Sequence, residues 1–196
     1  MELRIAYGGP RGSGKTANLY YLQSAISGGD LAAYVTTSIS SVGKAPIDFL
    51  YFDIERKDGD RLHFRITALP QMEDYLHLWK MILRDCHGIV IVIDSQMERM
   101  EENQSCLRKI TDILSSWKIA PEEFPILLQY NKCDLPYALS GEELAKRLNL
   151  FGRSGVEASA ARGTGVLNTF MKISKLVLMK KQMEKNSHGK LEGGLV

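Results

Sequence analysis

The stretch Gly9-Pro10-Arg11-Gly12-Ser13-Gly14-Lys15-Thr16 follows the apolar run Leu3-Arg4-Ile5-Ala6-Tyr7 almost without a gap and decides the fold. It has the phosphate-loop spacing G-x-x-x-x-G-K-S/T. The glycines let the backbone curl so that successive N–H groups, including those of Gly12, Ser13, Gly14 and Ala17, point at a β-phosphate. Lys15 is placed to span the β- and γ-phosphates, and the Thr16 hydroxyl to ligate Mg²⁺. An apolar pattern at Leu19, Leu22 and Ile26 continues as a helix from Thr16, adding its positive N-terminal end. Strand, loop and helix in this order predict binding of a nucleoside di- or triphosphate.

Outward from this loop, short apolar runs alternate with helical patterns. Strands are expected at about 3–8, 48–55, 61–67, 88–94, 125–130 and 155–159. Helices are expected at about 16–27, 74–85, 97–117, 140–149 and 165–185. The fourth helix opens on Ser140 with Glu143 three residues on, a capping box. Lys57-Asp58-Gly59-Asp60 reads as a hairpin turn, making its two flanking strands antiparallel. The remaining crossovers are then parallel and right-handed, with helices on both faces of a mixed, mostly parallel six-stranded α/β sheet that has one antiparallel edge strand. Gly88–Ile93 and Ile126-Leu127-Leu128 are apolar on both faces, as central covered strands are. Residues 28–46 lack periodicity and read as a functional loop. Residues 1–180 form one domain, and 181–196 a flexible polar tail.

The 196 residues are 44% hydrophobic, which suits one domain with a substantial core. With 25 basic against 23 acidic residues, no large field draws the chain to nucleic acid. Cys86, Cys106 and Cys133 are odd in number and lack a C-x-x-C spacing, arguing against a disulfide framework or a zinc site and for a reducing cytosol. No apolar run approaches about 18 residues, so neither membrane spanning nor a stable membrane anchor is expected. The histidines show no metal spacing.

The base is chosen elsewhere. Asn131-Lys132-Cys133-Asp134 stands at the end of a strand, where open α/β sheets bind ligands. The tetrapeptide resembles the N-K-x-D element of GTPases, which implies that the Asp134 carboxylate accepts two hydrogen bonds from the guanine N1–H and exocyclic amine, a donor pair that adenine lacks. Leaving a charged acceptor unpaired costs more than the roughly 1–3 kcal/mol of a neutral group. Lys132 is expected across the phosphate loop and ribose. Glu157-Ala158-Ser159-Ala160-Ala161 follows the next strand and resembles the E-T-S-A-K element, which implies that the Ser159 and Ala160 backbone contacts the guanine O6. An ATP-using kinase or ATPase would require all of this to be accidental.

With these elements the chain resembles the Ras-like small GTPases, whose fold is the P-loop G domain, and within them the bacterial gliding-motility (MglA) type. The likeness is carried by Tyr7-Gly8-Gly9-Pro10, Ser13–Thr16, Asn18-Leu19, Asp48-Phe49-Leu50, Asp53-Ile54, Asp94-Ser95, Gln129, Asn131, Lys132, Asp134 and Leu135-Pro136, over about residues 3–180. The resemblance implies GTP/GDP and Mg²⁺ as cofactors and a cytoplasmic switch for cell polarity or motility. It also implies a Roadblock-type activating protein as partner. Lys15 and Gln71 would then be catalytic, Gln71 orienting water.

The departures are as informative. The third-strand motif T-x-x-G-Q appears as Thr67-Ala68-Leu69-Pro70-Gln71, and proline lacks the N–H that binds the γ-phosphate. One such bond is worth about 1.5–3 kcal/mol, or roughly 10- to 150-fold in GTP-over-GDP preference. In the first switch, the family's arginine and magnesium-binding threonine fall on Gly43 and Lys44. Because a transition-state arginine contributes on the order of 10³- to 10⁵-fold, slow intrinsic hydrolysis is expected. Asp48 is a candidate outer partner for Mg²⁺ beside Thr16. Two readings stand: a slow, partner-dependent GTPase, and a pseudo-GTPase that holds its nucleotide as a structural ligand.

Overall fold

A computed structural model describes residues 1–27, 36–42, 45–55, 59–70, 72–148 and 155–192, with 36–42, 45–46, 72–74 and 187–192 described as backbone alone. The strands are β1 (Glu2–Gly8), β2 (Thr36–Val42), β3 (Ala45–Glu55), β4 (Arg61–Ala68), β5 (Gly88–Asp94), β6 (Ile126–Asn131) and β7 (Val156–Ala158). They form one sheet in the order β2-β3-β4-β1-β5-β6-β7. The helices are α1 (Lys15–Ser27), α2 (Met72–Asp85), α3 (Met100–Ser116), α4 (Gly141–Leu148) and α5 (Val166–Glu192).

All six expected strands form, and the mostly parallel α/β architecture with helices on both faces is the observed one. The structure adds β2 as a seventh strand, within the stretch read as a loop. Thr-Thr-Ser-Ile-Ser-Ser-Val alternates weakly in polarity, which hid it, yet β-branched residues suit an edge strand. β3 therefore lies inside the sheet, antiparallel to both β2 and β4, and the antiparallel edge is two strands wide. The two strands are antiparallel neighbours as read, with Glu55 opposite Arg61 and Gly59 in the left-handed region at φ 85°; Lys57 and Asp58 lie outside the described residues. The α4 capping box also forms, with the Ser140 N–H donating to Glu143 Oε2 at 3.0 Å and the Glu143 N–H to Ser140 Oγ at 3.3 Å. Helix α5 continues past residue 185 to Glu192, so 181–192 are helical where a flexible tail was expected. Lys-Gln-Met-Glu-Lys is a run of helix formers on an already nucleated helix.

Alternation along β1 divides the core. Leu3, Ile5 and Tyr7 join Leu19 and Leu22 of α1 and Phe170, Ile173 and Val177 of α5 on one face. Ala6 joins Trp79 of α2, Ile110 of α3 and Leu144 of α4 on the other. Each fully buried Leu or Ile side chain contributes about 1.5–3 kcal/mol, so the sheet with its two helical layers supplies the rigid platform. From β1 the chain crosses to the edge strand β2 and returns inward through β3 and β4, then runs outward on the other side through β5, β6 and β7; β1 pairs in parallel with β4 and β5. The carboxyl end of β1 is thus the reversal point of the sheet, the place where ligands bind in such folds. Gly9, Leu69, Ser95, Lys132 and Ser159 all follow the carboxyl ends of parallel strands there.

Candidate nucleotide site

The phosphate loop occupies that reversal point. Gly14 has φ 100°, and a Cβ there would meet Asn131 Nδ2 at 2.2 Å; one on Gly9 would meet the Val92 carbonyl at 2.3 Å. The loop is pulled in against the sheet at Gly9 and Gly14, while a Cβ on Gly12 would meet nothing within 4 Å. The Lys15 ammonium folds back across it, donating to the carbonyls of Gly9 at 3.0 Å and Pro10 at 2.9 Å. The Ser13 hydroxyl is buried with no hydrogen-bond partner among the described residues. A phosphate oxygen suits the ammonium, whereas the Ser13 hydroxyl lies on the sheet side of the loop, beside the Gly9 Cβ position, and is closed off from that seat.

Asn131 joins base element to loop. Its Nδ2 donates to the Ser13 carbonyl at 2.7 Å, and its Oδ1 accepts the Ala160 N–H at 2.9 Å. The Ser159 N–H donates to the Thr164 carbonyl at 2.9 Å. The two amides assigned to the guanine O6 therefore already have partners, and a base oxygen at Ala160 would share that N–H with Asn131. A second buried relay lies behind. Gln129 Nε2 donates to Asn18 Oδ1 at 2.8 Å and Thr169 Oγ1 at 3.1 Å, while Asn18 Nδ2 donates to the Gly14 carbonyl at 2.9 Å. These amides tie β6, α1 and α5 to one loop carbonyl, because buried polar groups need partners.

Asp134 is held by two donors. The Ser159 hydroxyl is the main cause of a pKa below the ordinary carboxylate value, with Arg162 a lesser one; Arg162 Nε lies 3.3 Å from Asp134 Oδ2. A carboxylate kept ionised is the right acceptor for two base N–H groups. Lys132, in the left-handed region at φ 67°, does not reach the loop. Its ammonium donates to Asp94 Oδ2 at 2.6 Å, since the buried Asp94 carboxylate demands a counter-charge.

Thr16 and Asp48 come together, with Thr16 Oγ1 donating to Asp48 Oδ2 at 2.5 Å. A hydroxyl and a carboxylate beside the phosphate seat fit Mg²⁺, which takes one or two protein oxygens and completes its shell with water and phosphate. Arg11 is exposed. Gln71, Gly43 and Lys44 lie outside the described residues. Pro70 is buried, and its carbonyl accepts the Trp79 Nε1–H at 2.9 Å, while the Leu69 N–H donates to the Tyr7 carbonyl at 2.9 Å. The sequence reading missed this anchor because Trp79 reads simply as an apolar helix position. It also missed Arg162 and Arg99, which carry no motif.

Comparison with known proteins agrees with this geometry. The family model described as the ADP-ribosylation factor family matches residues 1–177. The chain is similar to the mutual gliding-motility protein MglA of Myxococcus xanthus (strain DK1622), 33% identical over 178 residues, covering 91% of each chain. It is also similar to ADP-ribosylation factor-like protein 1 of Saccharomyces cerevisiae, 28% identical over 171 residues, covering 84% of this chain and 82% of that one. Ras-related protein Rab-5B of Plasmodium falciparum is 29% identical over 126 residues, 64% of this chain and 58% of its own. With a phosphate loop, a base element and a sheet order that place both at one edge, the chain belongs to the Arf/Ras-like small GTPase family.

Proposed function

We infer that this protein is a guanine-nucleotide switch of the gliding-motility type, acting in bacterial cell polarity or motility, with GTP hydrolysis slow or dependent on a partner. The observation that carries the reading is Asn131, which locks the base element to the phosphate loop through the Ser13 carbonyl and the Ala160 amide. The similarity to MglA over nearly the whole chain supports the cellular role. A Roadblock-type activating protein is the partner this reading calls for.

In this reading Asp134 selects guanine by accepting its N1–H and amine, and the loop amides bind the β-phosphate. Lys15 exchanges its carbonyl partners for β- and γ-phosphate oxygens. Thr16 and Asp48 would hold Mg²⁺, which neutralises phosphate charge when bound. Gln71 orients the attacking water. The arginine that the first switch lacks is then a partner's to supply, a contribution on the order of 10³- to 10⁵-fold.

The Pro70–Trp79 bond favours a second reading, a non-cycling module that keeps its nucleotide as a structural ligand. Displacement of fluorescent GDP by GDP but not ADP tests the guanine assignment, and displacement by ADP as effective as by GDP contradicts it. Single-turnover GTP hydrolysis with and without a Roadblock-type activator separates the two readings. Stimulation supports the switch, and a rate unmoved by activator leaves the module.

A further inference from the structure

The ammonium of Lys132, expected on the phosphate loop, is taken up by Asp94, and a different cation stands where it was expected. Arg99 lies on the short 3-10 turn Met97–Arg99 after β5. Its Nη2 donates to the carbonyl of Arg11, in the middle of the phosphate loop, at 2.7 Å. The guanidinium is aimed by its other edges. Nη1 donates to Glu102 Oε1 at 2.6 Å, and Nε lies 3.9 Å from Asp94 Oδ2.

Asp94 is itself fixed from every side. Its Oδ1 accepts from the Gln96 N–H at 3.2 Å and Gln96 Nε2 at 3.1 Å. Its backbone N–H donates to Asn103 Oδ1 at 3.1 Å, and its carbonyl accepts Asn103 Nδ2 at 2.8 Å. One buried carboxylate thus organises two cations, one from the base element and one against the loop. We propose that Arg99 is a positioning residue for the nucleotide: it braces the phosphate loop in place of Lys132 and, through Asp94, ties loop geometry to the base element. This rests on the guanine-nucleotide reading of the site.

The chemistry supports the exchange of roles. A guanidinium presents a planar fork of donors and can serve a carbonyl and a carboxylate together, which a single ammonium does less well. Holding the Arg11 carbonyl fixes the orientation of the Gly12 N–H, since carbonyl and following N–H belong to one rigid trans peptide plane and point opposite ways. The effect must therefore fall on ligands that use the β-phosphate seat and spare those that do not.

The test compares GDP with GMP. For wild type, Arg99→Ala and Arg99→Lys, release of fluorescent GDP is timed by a chase, and GDP and GMP affinities are measured by competition. We expect Arg99→Ala to release GDP about five- to ten-fold faster and to lose GDP affinity by that factor with GMP affinity nearly unchanged. Arg99→Lys should recover part of the loss. Unchanged GDP release in Arg99→Ala, or equal loss for GDP and GMP, overturns the proposal while leaving the nucleotide reading intact. Failure of wild type to bind GDP overturns both.

Discussion

The edge of the sheet that meets base and diphosphate differs in kind from the edge that should sense the γ-phosphate. On the first, side chains close a continuous circuit: Asn131 to the Ser13 carbonyl, Ala160 to Asn131, Asn18 to the Gly14 carbonyl, and Ser159 and Arg162 to Asp134. On the second, the family's glycine N–H is replaced by Pro70, whose carbonyl is spent on the Trp79 indole. Binding and sensing are thus separable in one fold. On the proposed reading, side chains that order the base and diphosphate seat are kept while the N–H that discriminates between two states of the ligand is lost.

The largest expected effect comes from breaking the intact side. Gly14→Ala sets a methyl 2.2 Å from Asn131 Nδ2 at a φ of 100° that side chains rarely adopt. It should lower stability by about 2–4 kcal/mol and abolish detectable GDP binding, read by thermal melting and titration. Next is Asp134→Asn, which exchanges an acceptor for a donor facing the guanine amine. GDP affinity should drop at least about 100-fold, and xanthosine diphosphate, with a carbonyl at that position, should gain. Equal weakening of both would remove Asp134 from base reading.

On the other side, Pro70→Gly restores an N–H. The preference for a GTP analogue over GDP should rise by roughly 10- to 150-fold, alongside a small loss of stability of about 0.4–1 kcal/mol from the freer unfolded chain. Trp79→Phe keeps a ring but strands the Pro70 carbonyl, costing about 1–3 kcal/mol and a few degrees of melting temperature. Because the proline remains, the GTP-to-GDP ratio must not move. A shift there would make Trp79, not Pro70, the determinant.

The smallest effect is in pH. Asp134 titrates below the ordinary carboxylate value in the folded protein, so its ionised form and the stability it contributes persist above the unfolded pKa. Both are lost only as pH falls through the depressed folded value. Guanine affinity should stay flat through the usual carboxylate range near 4 and decline below it. A decline already centred in that range would mean that Ser159 and Arg162 do not hold the carboxylate.

The sequence made the first side legible because its chemistry is local. A turn that needs Gly14 and Lys15, or a strand end that needs Asn131 and Asp134, is written in a few adjacent residues whose types follow from what they bind. Strands β5 and β6 were readable for a similar reason, being apolar runs buried on both faces. What escaped was long-range or weakly patterned. Asp94 with Lys132 and Arg99 spans 38 residues between carboxylate and ammonium, and neither end announces the other. The pairing of Trp79 with Pro70 crosses from helix to strand end and looks like ordinary core from either side. β2 escaped because its serines and threonines carry no hydrophobic alternation, so only its seven-residue pairing with β3 defines it.

The most direct test of this contrast is the ratio of equilibrium affinities of the wild-type protein for GDP and for a non-hydrolysable GTP analogue, measured with and without Mg²⁺. The account predicts tight binding of both with a ratio within a few-fold of one, a result that would also favour the non-cycling module over the switch. A GTP preference above about ten-fold that vanishes when Mg²⁺ is chelated would contradict it, because the γ-phosphate would then be sensed despite Pro70.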